Sequence, residues 1–278
     1  MQTTLARSVT VEGTGLHTGR PARVKLAPMP PGSGLRLVRT DVSPPAEIEV
    51  SVRSRAPVPR CTALASPAAR VMTVEHLLSA LAGLGIDNVR IEVDGPEIPA
   101  LDGSAARWVE LVDRAGVVEQ DAPSRSRRLP EVVWVGDGER FILAAPGEGL
   151  RVSFLFTADR PGLQDAFVEF DVTPEVFRRE IAPARTVAFL DEVEQLRRHG
   201  LGLGGTPDNV VLVGPQGPVT PLRFADEIAR HKVLDLIGDL ALAGPLQARV
   251  VAIRAGHELT ARLASRIWQA LRPTEWKG

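Results

Sequence analysis

The chain has 278 residues, 44% of them hydrophobic and 24% charged, with a formal net charge of −1. Such a composition excludes a disordered chain and provides no overall basic field for nucleic acid, while leaving room for a local basic pocket. The one cysteine, Cys61, excludes an internal disulfide framework, and no apolar run reaches the roughly 20 residues of a membrane span.

Strand-like patterns cover 5–11, 22–26 and 34–38. A helix is expected over 74–84, then a glycine turn, a strand over 88–93, a loop, and a helix over 105–115. The stretch EQDAPSRSRRLP (119–130) is polar, basic and proline-bearing, and reads as a linker. Past it, strands are expected over 132–135, 141–144, 150–156 and 166–170. A helix (224–243), a Gly-Pro turn, a strand (248–253), a loop and a helix (259–271) then complete the chain.

The order strands, helix, strand, helix thus occurs twice, and each first helix carries a histidine near its start, His76 and His231. Strands followed by helices point to α+β layers rather than a doubly wound parallel sheet. The expected fold is two α+β domains of related topology, each a two-layer sheet/helix sandwich, with the active site at their interface. Their expected bounds are 1–119 and 131–278, around a linker at 120–130.

Five histidines are present: His17, His76, His199, His231 and His257. In ADEIARHKVLDLIGDLALAG, Glu227, His231, Asp235 and Asp239 recur every four residues, one polar stripe along a helix. Many such stripes simply face water. Here Ile228, Leu234, Ile237 and Leu240 flank it, so part of the stripe is expected to face inward. His231 and Asp235, one turn apart, can point at one spot and offer a nitrogen and an oxygen to a metal such as zinc. Asp239 is then a candidate to orient His231. TVEHLLSAL supplies His76 as a third candidate ligand, and Glu75 beside it as a candidate general base. A glutamate in a first turn also suits the helix dipole on its own account.

His257 in RAGHELT is either a plain helix-start residue or a general acid, and Lys232 could add positive charge. His199, in EQLRRHG, is expected at the surface. GLGLGG (200–205) suggests a phosphate loop, but it follows a helix and lacks the GK[ST] ending, so a turn beside a binding site is the better reading. The start, MQTTLARSVTVEG, lacks the apolar stretch of a signal peptide, so a cytoplasmic location is expected.

With these pieces in order, the chain resembles the UDP-3-O-acyl-N-acetylglucosamine deacetylases, zinc enzymes of lipid A synthesis. The resemblance rests on GTGLHTG (13–19), TVEHLLSAL (73–81), GPEIPALDGSA (95–105), ART (184–186), GLGLGGTPDN (200–209), LRFADEIARHKVLDLIGDLALAG (222–244) and GHEL (256–259). It implies two domains, each of two layers, with the active site between them. It implies His76, His231 and Asp235 as ligands of Zn2+ (Fe2+ would also fit), Glu75 as base and His257 as acid. Lys232 and Thr186 would stabilise the oxyanion, and Asp239 would support the metal site. Leu16, Cys61, Thr62, Phe189, Leu201, Gly205 and Arg254 are the implied substrate contacts, Arg254 near the nucleotide phosphates.

The resemblance also implies a βαβ-type insert near 186–213 that walls a passage for the fatty chain, with Leu190, Val193 and Leu196 on one helical face. Some positions depart from the family pattern: Val187 follows ART where phenylalanine is usual, a basic residue is missing from 141–145, and Thr260-Ala261 follow GHEL. The implied partner is a nucleotide sugar bearing an acyl chain, with no nucleic acid, no integral membrane segment and a monomeric chain. The rivals are a related metal-dependent deacylase with another acylated substrate, a non-catalytic ligand-binding relative, and a nucleotide-binding kinase-type fold using GLGLGG.

Overall fold

The computed structural model describes residues 1–271. In the first half, β1 (Val9–Thr14), β2 (Pro21–Pro28), β3 (Leu35–Arg39) and β4 (Ala46–Glu49) lead through irregular chain to α1 (Glu75–Gly83), β5 (Val89–Asp94) and α2 (Ala106–Ala115). Past residue 131 come β6 (Val133–Asp137), β7 (Arg140–Pro146), β8 (Leu150–Phe156) and β9 (Ala166–Asp171). An insert of β10 (Val187–Phe189), α3 (Leu190–Arg198) and β11 (Val211–Gly214) precedes α4 (Glu227–Leu240), β12 (Leu246–Ile253) and α5 (His257–Ala270).

The two main sheets have one plan. The first runs β1-β2-β5-β3-β4 and the second β6-β7-β12-β8-β9. In each, the late strand enters the middle, antiparallel to one neighbour and parallel to the other. Alternation supplies the buried faces: β2 turns Ala22, Val24 and Leu26 inward between exposed neighbours. The expected α+β class, with helices packed on sheets, is what the structure contains.

One hydrophobic cluster joins both halves, drawing Leu26 and Ile91 from the first sheet, Leu77 from α1, Leu234 from α4, and Val152 and Val250 from the second sheet. At its centre α1 and α4 lie against each other. Gly238 makes the approach possible, because a Cβ there would sit 2.1 Å from the carbonyl oxygen of Glu75. Consequently α4 is buried nearly all round, and its polar stripe is interior rather than solvated.

Three local readings change. The expected strand over 5–11 breaks at 6–8, so Gln2–Leu5 pairs with Val117–Gln120 while Val9 starts β1. The edge strand β4 lacked a clear apolar run. Residues 119–130 are no free tether, since Arg127 and Arg128 pair in parallel with Leu246 and Gln247, and Leu129 is buried. The 186–213 insert is a βαβ unit, with β10 and β11 parallel across α3.

Candidate active site

Helices carry the chemistry. His76 lies in the first turn of α1, His231 and Asp235 lie one turn apart on α4, and His257 is the first residue of α5. The ligand atoms of His76, His231 and Asp235 all fall within 4.8 Å of one another, and all three residues are buried. Nε2 of His231 is 3.2 Å from Asp235 Oδ1, and Nε2 of His76 is 3.6 Å from the same oxygen.

The donor set fits a cation. Nδ1 of His231 lies 3.0 Å from the Ala184 carbonyl, which can only accept, so that nitrogen carries the proton and Nε2 presents a lone pair. Asp235 Oδ1 nevertheless accepts no hydrogen bond among the described residues. Lone pairs from two imidazoles and a carboxylate converging in a buried space repel one another unless a positive centre sits among them. A His/His/Asp group able to bind a metal is therefore present.

Two expectations about orientation need correcting. Asp239 does not orient His231: its Oδ2 accepts from His257 Nδ1 at 2.8 Å, and its Oδ1 accepts from the Thr62 hydroxyl at 2.5 Å. The reason is helix geometry, since eight residues put Asp239 about 12 Å along the axis from His231, abreast of α5 instead. Arg254 does not face the cavity either. It is exposed and paired with Glu139 at 2.8 Å.

Electrostatics separates the two candidate proton carriers. Burial pushes the Glu75 carboxyl up to about 8, with the charges of Asp235 and Asp239 adding and that of His257 opposing. Burial by itself would lower His257, but the charges of Asp239 and Asp235 and the hydrogen bond it donates to Asp239 raise it to about 10. The carboxylate of Asp239 thus favours the imidazolium form of His257, whose Nδ1 donates to it. Glu75 Oε2 accepts from the Thr62 amide at 3.0 Å. Lys232 Nζ donates to Asp235 Oδ2 at 3.0 Å.

Glu75, His76, Asp235 and His257 lie on the lining of a cavity of about 490 Å³. Its walls include Leu16, Thr186, Phe189, Gly205 and Lys232 among the expected residues, together with Val193 and Leu196 of α3. Cys61, Thr62 and Leu201 are not on its lining. Cys61 is buried, and burial pushes its thiol up, so it is a packing residue rather than a nucleophile. Leu201 follows α3, its amide bonded to the Leu196 carbonyl.

Among the wall residues that the sequence reading did not single out are His17 and Arg60. His17 is 6% exposed, and neither ring nitrogen finds a hydrogen-bond partner among the described residues. Its place follows from buried Glu97 in GPEIPALDG, which accepts from the amides of His17 and Thr18 and from the hydroxyls of Thr18 and Thr73. The pairing of GTGLHTG with GPEIPALDG is a long-range contact, so only the motifs themselves were visible. GLGLGG is no phosphate loop: Leu203 and Gly204 donate backbone hydrogen bonds to His17 and Leu16, and a Cβ on Gly204 would lie 2.2 Å from the Gly15 carbonyl.

A family model described as UDP-3-O-acyl N-acetylglycosamine deacetylase matches residues 2–269. Relatives named UDP-3-O-acyl-N-acetylglucosamine deacetylase share this sequence closely. One from an Anaeromyxobacter species is 42% identical over 271 residues, covering 96% of this chain and 88% of its own. Another, from Trichormus variabilis, is 41% identical over 273 residues, with coverages of 96% and 98%. A third, from Bdellovibrio bacteriovorus, is 36% identical over 280 residues, with coverages of 100% and 92%. With its fold and its His/His/Asp centre, the chain belongs to the UDP-3-O-acyl N-acetylglycosamine deacetylase family.

Proposed function

We propose that this protein hydrolyses the N-acetyl group of UDP-3-O-acyl-N-acetylglucosamine, giving acetate and UDP-3-O-acyl-glucosamine, the committed step of lipid A biosynthesis. The observation that carries the reading is the buried His76/His231/Asp235 set, of which His76 and Asp235 line, together with Glu75 and His257, a cavity that apolar side chains also line.

His76, His231 and Asp235 would hold Zn2+, with Fe2+ as the other ion that fits this donor set, and the ion would supply Lewis acidity. In its ionised form, which a cation on His76, His231 and Asp235 would favour against the burial that raises its carboxyl, Glu75 takes the proton of the attacking water, its second oxygen being held by the Thr62 amide. Lys232 and the Thr186 hydroxyl, both on the cavity wall, face the oxygen on which negative charge develops. As the C–N bond breaks, His257 gives its Nε2 proton to the sugar nitrogen. Asp239 and Thr62 hold that ring in position. One water is consumed, and acetate and a free amine leave.

Phe156, Phe189, Leu190, Val193, Leu196 and Leu212 line the other part of the cavity and suit the acyl chain. The repeated strand order supports reading 1–119 and the chain from 131 onward as two related units joined through 120–130, the site lying where α1 meets α4. All the groups named come from one chain, so a monomer suffices. A nucleotide-sugar substrate suits a cytoplasmic enzyme, and no described helix is long and apolar enough to cross a membrane.

The test is acetate release from the acylated nucleotide sugar by purified protein, with metal content measured on the same sample. About one divalent ion per chain and acetate formation are expected, both lost in His231→Ala. Metal without acetate release would favour the related deacylase with another acylated substrate. Absence of both from the wild type would overturn the reading.

A further inference from the structure

The helix α3 presents a physical puzzle. It buries none of its own residues, whereas α1, α2, α4 and α5 are each anchored by buried side chains. Its apolar residues Leu190, Val193 and Leu196 face the cavity, so core packing does not set where it stands. Yet this helix is one wall of the proposed acyl passage.

What holds it is charge. The Glu192 carboxylate receives Arg60 Nη2 on one oxygen and Arg160 Nη2 on the other. Arg160 also donates through Nη1 to both oxygens of Asp191, at 2.7 and 2.6 Å. Its guanidinium lies 4.0 Å from the centroid of the Phe189 ring, itself on the cavity wall. Arg60 comes from the chain just before Cys61 in the first half, and Arg160 from the loop between β8 and β9. Three distant segments therefore meet on one carboxylate. The Glu192 side chain is 23% exposed and that of Arg160 30%, while Arg60 and Asp191 are 50% and 66% exposed, so the network is partly shielded at its centre and open to water at its edges. Linked, partly shielded charges of this kind exceed an isolated surface pair in effect.

We propose that Arg60, Glu192 and Arg160 form an ionic clasp that fixes α3 and thereby the width of the acyl passage, which makes Glu192 a positioning residue for chain-length selectivity. The proposal rests on the acyl-passage reading above. A passage held open before the substrate arrives spares the fatty chain the cost of ordering its own wall. Loosening the clasp should therefore tax binding of a long chain and leave the reacting groups, on α1, α4 and α5, where they are.

Glu192→Gln tests this, because Glu192 is not on the cavity lining. KM for a long-chain substrate should rise about three- to tenfold, the scale of a modest charge network, with kcat unchanged within about twofold. The same nucleotide sugar without its acyl chain should be turned over as by the wild type. Arg160→Lys, which keeps a charge, should retain most of the selectivity. Amide hydrogen exchange over 190–198 should quicken in Glu192→Gln while that of α1 and α4 is unchanged. Equal KM increases for acylated and deacylated substrates, or no change in KM and exchange, would overturn the clasp. If the wild type releases no acetate from either substrate, the functional reading fails instead, and the exchange measurement alone decides the clasp.

Discussion

Replacing Gly238 with alanine pits two effects of opposite sign against each other. Within a helix, Gly→Ala gains about 0.5–1 kcal/mol from backbone entropy and propensity. Against this, the new Cβ would lie 2.1 Å from the Glu75 carbonyl oxygen and 3.0 Å from its Cα, both backbone atoms that cannot turn aside. Relief requires α1 and α4 to separate by roughly 1 Å, an overpacking strain of about 1–3 kcal/mol or more. The strain should win, giving a net loss of about 1–2 kcal/mol. The same displacement separates His76 on α1 from His231 and Asp235 on α4. Metal–ligand bonds of about 2.0–2.2 Å tolerate no such shift, so metal affinity should fall at least about tenfold. Urea unfolding of the metal-free protein measures the first quantity, and chelator competition the second. A Gly238→Ala protein more stable than wild type with unchanged metal affinity would refute the argument that this glycine sets the helix approach.

Other outcomes follow from the site. Glu75→Gln should keep metal and fold but lose activity by about 10²–10⁴-fold, as for a missing general base; near-normal acetate release would contradict its role. His257 acts protonated, and Asp239 is foremost among the groups that raise it to about 10. In Asp239→Asn the basic limb of the kcat/KM–pH profile should therefore move to lower pH, whereas an unmoved limb would separate the two residues. Buried Glu227 is pushed up by burial but held below its ordinary value by the Arg185 guanidinium and the amides of Arg223 and Arg185. Its stabilisation is thus present above the unfolded carboxylate value of about 4.3 and lost as pH falls through the lower folded one. Glu227→Gln should accordingly unfold more readily than wild type at pH 7, with the gap narrowing in acid; a gap constant down to pH 3 would show that the ion pair is not its cause.

Periodicity and motif spacing, properties of the chain alone, determined much of this protein. Spacing of four residues aligns His231 and Asp235 on any α-helix, so their partnership was readable before the fold was known. TVEHL placed Glu75 and His76 at a helix start, and the strands-helix-strand-helix order recurring across the chain reappears as two sheets of one strand order. The same local logic misled over Asp239. On the helix it belongs to the His231 stripe, but its partner is chosen by α5, which arrives from 18 residues further on. Whether that stripe met water or protein was likewise undetermined, because the decision lies with Gly238 and the α1 backbone packed on it. His17, held by Glu97 80 residues away, and Glu192, held by Arg60 132 residues away, depend on contacts that leave no periodic trace. Local spacing says which side chains share a face; only the closing of the tertiary structure decides what that face meets.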